Sequence, residues 1–114
     1  MKKIIYILAF FLSFTAFSQV AVKKSLPKVE LSKISVYPNP FNDKTTVFFN
    51  STIENENVDF IVQDLLGNII HSEKLMTVKG KNTILFYRNN LSAGIYIYNL
   101  KTKDKITSKR FVIK

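Results

Sequence analysis

His71 is the only histidine in a chain without cysteine, so a metal centre or a nucleophile–base pair would have to be built from it and the carboxylates. Asp43, Glu54, Glu56, Asp59, Asp64, Glu73 and Asp104 are spread over several strand-like segments and turns. No subset has the spacing of a zinc site, which collects nitrogen and sulfur ligands. Glu54-Asn-Glu56 offers two carboxylates to a cation such as calcium, which takes about six to eight oxygens. Two acids in a polar loop read more simply as a solvated turn. No serine has a base partner in view, and neither a P-loop nor a dinucleotide fingerprint occurs. His71 reads as a packing or bystander residue. The expectation is a non-enzyme with no cofactor and no metal.

The elements that could position such residues begin after a leader. Lys2 and Lys3 precede an apolar run from Ile4 to Leu12, and Ala16-Phe17-Ser18 supplies a small-x-small site. This is the pattern of a secretory signal peptide, with an apolar core too short to cross about 30 Å of hydrocarbon comfortably. Cleavage is expected after Ser18, leaving no stable transmembrane segment, and losing Lys2 and Lys3 lowers the formal charge from +9 to +7. Residues 19–33, "QVAVKKSLPKVELSK", carry four lysines and little periodicity and read as a flexible basic linker. With no disulfide available, the remaining chain must rely on its own apolar core.

Lys101, Lys103, Lys105, Lys109, Arg110 and Lys114 cluster near the end of the sequence beside Tyr96 and Tyr98. Aromatics among cations can stack bases and neutralise phosphates. An exported protein seldom meets nucleic acid, and tyrosines in a strand more often pack inside it. The expectation is therefore no nucleic acid, with an anionic lipopolysaccharide surface as the more natural electrostatic partner.

From Ile34 onward apolar and polar residues alternate in short bursts, the period of half-buried strands. The pattern predicts seven strands at 34–37, 44–50, 58–64, 68–75, 82–87, 94–101 and 105–113. Of the three glycines, Gly67 and Gly80 fall between these runs and Gly94 opens the sixth. Pro38-Asn39-Pro40 excludes helix, removes two donors and confines that stretch to a strand end or turn. The fold expected for residues 34–114 is an all-β, immunoglobulin-like antiparallel sandwich, with a partly open barrel as the alternative. Val36, Val47, Phe49, Phe60, Val62, Ile84 and Phe86 should line its core.

Taken in order, "VYPNPFNDKTTVFF", "VDFIVQDLLGNII", "NNLSAGIYIYNLKT" and "ITSKRFVIK" resemble the type A C-terminal sorting domain of the Bacteroidota type IX (Por) secretion system, from about Ile34 to Lys114. The resemblance implies a β-sandwich that serves as an address. In that family a Sec leader brings the protein to the periplasm, and an outer-membrane translocon recognises the domain. A sortase commonly removes the domain and can attach the passenger to surface lipopolysaccharide, so the chain would reach the outer-membrane surface or the medium. The family motifs fall on Pro38, Asn39, Pro40, Lys109 and Lys114, assigned to translocon recognition, and on Asp64, Gly67, Leu91, Gly94 and Tyr96, assigned to turns and core. Arg88 and Gln63 stand where the family usually has apolar, small or aromatic residues, and either can loosen local packing. Only residues 19–33 separate leader and domain, so no passenger is evident, which leaves both a fragment and a small exported product open. A different class also stays open: a small secreted or surface immunoglobulin-like binding module, which would need exposed aromatics on one sheet or its loops.

Overall fold

The computed structural model describes residues 28–114. The expected signal peptide, 1–18, and most of the expected linker lie outside the described residues. Seven strands follow in order: β1 (Leu31–Tyr37), β2 (Lys44–Ser51), β3 (Asn57–Gln63), β4 (Ile69–Met76), β5 (Gly80–Tyr87), β6 (Gly94–Lys101) and β7 (Ile106–Ile113). They form two antiparallel sheets, β1-β2-β5 and β4-β3-β6-β7, with no helix among the described residues. The chain is thus an immunoglobulin-like sandwich of two discrete sheets, and the barrel alternative is set aside.

Alternation sets the faces. In β2 and β3 every second residue is buried, which places Val47, Phe49, Val58, Phe60 and Val62 between the sheets. Each fully buried side chain of this size contributes about 1.5–3 kcal/mol. The centre of the core is aromatic: the rings of Phe60, Phe86, Tyr98 and Phe111 lie 5.3–6.3 Å apart, in tilted or edge-on pairs. That spacing suits the quadrupole of each ring. Tyr96 and Tyr98 are both buried, so they provide no stacking platform for bases.

β1 departs from the expectation at its start. It begins at Leu31, three residues before the predicted domain start, so residues 31–33 belong to the sandwich and not to the linker. The register with β2 shifts between Ser32 and Ser35, where Lys33 takes φ 51°. This bulge breaks the alternation that would have marked the strand's start. Val36 is only half-buried because β1 is an edge strand, whereas Ile34 beside it is buried.

Candidate functional site

β1, β3, β5 and β7 run toward one pole of the sandwich, and β2, β4 and β6 start from it. The β1–β2 loop, the β3–β4 turn, the β5–β6 loop and the end of β7 therefore meet there. Four segments far apart in sequence, each carrying sequence-singled residues, share that pole. Lys28 and the β6–β7 turn lie at the other.

The segment Pro38–Phe41 grips the last strand. Phe41 is 1% exposed, with its ring 5.4 Å from Phe111 and 6.3 Å from Phe86. Its N–H donates to the Val112 carbonyl (3.0 Å), its carbonyl accepts from the Lys114 N–H (2.9 Å), and it forms a parallel bridge with Ile113. Asn39 Oδ1 accepts from the Val112 N–H at 2.9 Å. The Thr45 hydroxyl donates to the Pro38 carbonyl at 2.6 Å, which fixes the loop from its other side. Pro38, Asn39 and Pro40 themselves are exposed. Two prolines leave this loop few donors of its own, so its remaining amides and carbonyls are available to the end of β7.

Arg88 reinforces the clamp. Its Nε donates to the Leu91 carbonyl (2.9 Å), a guanidinium N–H donates to the Lys114 carbonyl oxygen, and its backbone N–H donates to the Asp43 carbonyl (2.8 Å). Arg88 was expected to loosen local packing, and the opposite holds: one planar donor fork ties the β5–β6 loop to the terminal residue. Gln63 is likewise engaged, donating to the Gly67 carbonyl (3.2 Å) and accepting from Asn99 Nδ2 (2.9 Å).

The β3–β4 turn is closed by Asp64. Its Oδ1 accepts from the N–H groups of Leu66 (3.0 Å) and Asn68 (2.9 Å), and its Oδ2 accepts from Asn68 Nδ2 (2.9 Å). The Asn68 contacts, side chain first, hold the carboxyl below its ordinary value. Gly67 completes the turn at φ 89°, a conformation costly for other residues. Across the pole, the Tyr96 hydroxyl donates to the Ser92 carbonyl at 2.7 Å, the tyrosine corner of sandwich folds. Leu91 packs partly buried against the core, and Gly94 opens β6 at φ 151°.

The two lysines assigned to recognition are separated. The Lys114 side chain is exposed beside the clamp. Lys109 Nζ donates to the Ile34 carbonyl at 2.7 Å, linking the edge strands β7 and β1 across the open flank of the sandwich, away from the pole. Lys101, Lys103 and Lys105 lie toward the far pole, so the cation cluster seen in sequence is dispersed in space. Sequence reasoning missed Phe41 as the anchor, although one aromatic between two prolines and the polar Asn42-Asp43 was an available signal.

On the opposite flank, between the edges of β4 and β5, a groove of about 540 Å³ is lined by His71, Glu73, Phe86, Arg88 and Leu91, among others. The His71 ring sits 5.4 Å from Phe86 and 5.9 Å from Phe60, with Nε2 3.5 Å from the Glu73 carboxylate. It covers the core edge as a packing residue. No group of three or more potential metal ligands occurs among the described residues.

Residues 35–114 match the family model described as "Secretion system C-terminal sorting domain". Among solved structures, the crystal structure of dimeric latent PorU from Porphyromonas gingivalis is similar, with TM-score 0.62 and 15% identity. The match covers 78% of this chain and 10% of that one, so the chain spans about a tenth of that protein's length and the likeness is one of fold. No curated protein sequence matches.

Proposed function

This chain belongs to the family of secretion system C-terminal sorting domains, and from that premise we propose that the motif-bearing pole is the surface the export machinery reads. The sorting domain is the C-terminal signal for type IX secretion and acts as an address, not as a catalyst; it directs export to the cell surface or the extracellular space. The finer reading has three parts. A Sec leader in residues 1–18 carries the chain to the periplasm. An outer-membrane translocon engages Pro38–Pro40 together with the end of β7. A sortase then acts upstream of β1, with anionic lipopolysaccharide as the surface acceptor.

The observation that supports this reading most is the clamp itself. Asn39 and Phe41 hydrogen-bond Val112 and Lys114, so two motifs about 73 residues apart form one exposed surface. A partner reading that surface tests, in a single contact, that β7 has docked and the sandwich has closed. Loops on a rigid scaffold are the usual seat of such recognition.

The test is to fuse residues 28–114 behind a Sec-targeted fluorescent protein in a type IX-competent host. Secretion of the fusion, and its retention in the periplasm when the host's type IX system is disabled, is the expected result. Periplasmic retention in the competent host, with the domain shown to be folded, would overturn the reading.

A further inference from the structure

The outer face of the β1-β2-β5 sheet carries a pattern that the sorting role does not use. Register places Tyr37 opposite Thr46, and Thr46 opposite Leu85, while Tyr87 lies opposite Lys44. Tyr37 is 75% exposed and Tyr87 51%. Two ladder steps across and two residues along put these tyrosines about 12 Å apart on one face of the sheet. Thr46 lies between them, and one outward position further along β2 Phe48 is half-buried, with the Lys81 ammonium 4.9 Å from its ring centroid. This cation–π contact holds the charge over the face and not out in solvent.

The chemistry of the face is one-sided. By alternation its outward residues on β2, β5 and the end of β1 are aromatic, hydroxyl-bearing, amide or cationic apart from the aliphatic Leu85, and none is acidic. Lys44 and Lys81 are at opposite ends of the β2–β5 ladder, and neither pairs with a carboxylate among the described residues. The outer face of the other sheet differs: there Gln63, Asn99 and Ser108 spend their polar groups on one another.

We propose that this face binds an acidic polysaccharide. Tyr37 and Tyr87 would stack on sugar rings, Thr46 and Thr83 would meet ring hydroxyls, and Lys44 and Lys81 would pair with acidic substituents. Exposed aromatics keep an apolar face and a polar tip available together, which suits a polyol. Two cations on the face fit a sparsely charged chain better than a nucleic-acid strand with one phosphate per nucleotide. The proposal rests on this face alone and does not depend on the sorting reading.

The full chain should be titrated with hyaluronan, a polysaccharide with one carboxylate on every second sugar, and with neutral dextran, an oligo(dT) and phosphatidylglycerol vesicles. Tighter binding to hyaluronan than to the other three is expected. The double variants Tyr37→Ala/Tyr87→Ala and Lys44→Gln/Lys81→Gln should each weaken it about tenfold. A control pair in the β6–β7 turn of the other sheet, Lys103→Gln/Lys105→Gln, should leave it within about twofold, since exposed charges beyond a Debye length are screened. Circular dichroism should be unchanged throughout, because all six side chains are exposed. No binding, preference for the oligonucleotide or the vesicles, or loss in the control pair with the tyrosine pair silent would each overturn the proposal.

Discussion

Tyr96 shows how much one hydroxyl can be asked to do. Its O–H donates to the Ser92 carbonyl while its ring is buried edge-on to Phe111 at 6.3 Å. Tyr96→Phe keeps the ring and removes the corner bond, so stability should fall by about 0.5–1.5 kcal/mol in a urea titration, with the slope unchanged. Gly94 is limited by backbone and not by space: a side chain there would meet no atom within 4 Å, but φ 151° is a conformation L-residues rarely adopt. Gly94→Val should therefore unfold more easily than Gly94→Ala, the β-branched residue being the worse fit, as proteolysis and denaturant midpoints would show. Asp64 gives a pH dependence of known sign. Hydrogen bonds from Asn68 lower its folded pKa, so the turn's stabilisation is complete above the unfolded value of about 3.9 and is lost as pH falls through the lower folded one. Following the Asn68 amide by NMR, protection should persist below pH 4 and then collapse; Asp64→Asn should remove that step.

At the scale of elements, the clamp is the feature that local sequence could not disclose. The strands were legible because alternation at β2, β3 and β6 is an intrinsic, short-range pattern, and Gly67 and Gly94 marked turns that need positive φ. The pairing of Phe41 with Ile113 is a contact between distant segments, and nothing within either segment specifies it. The motif resemblance assigns residues of both segments to recognition but carries nothing about their contact. Similarly, Lys109 looked like a free cation until the fold brought Ile34 beside it, and His71 on edge strand β4 turned out to cover aromatic rings. The clamp separates into two testable parts. Phe41→Ala opens a cavity among Phe86 and Phe111 and should cost about 3–5 kcal/mol globally. Asn39→Ala removes one exposed acceptor, so hydrogen exchange should quicken at the Val112 amide while amides of β3 keep their protection.

For the whole molecule, the consequence is polarity. Strands of seven or eight residues separate the two poles by about 25 Å. The motif pole holds the clamp, the Asp64 turn and the tyrosine corner, while residues leading into β1 join the sandwich at the far pole. Material attached ahead of Leu31 thus trails away from the surface proposed for recognition, and bulk placed at the motif pole would cover it. A folded tag after Lys114 should block export of a fused passenger and leave the fusion intact in the periplasm. Deleting Phe111–Lys114 would be a poorer test, because Phe111 and Ile113 are almost wholly buried and their loss would unfold the core. The control is the same tag inserted between Lys103 and Asp104, in the exposed β6–β7 turn, where lengthening a surface loop costs little closure entropy. That insertion has equal mass and leaves the clamp free, so it should be exported. Secretion of both fusions would reject terminal recognition, and retention of both, with folding confirmed by protease resistance, would show that bulk anywhere on the sandwich blocks passage, leaving polarity without a role.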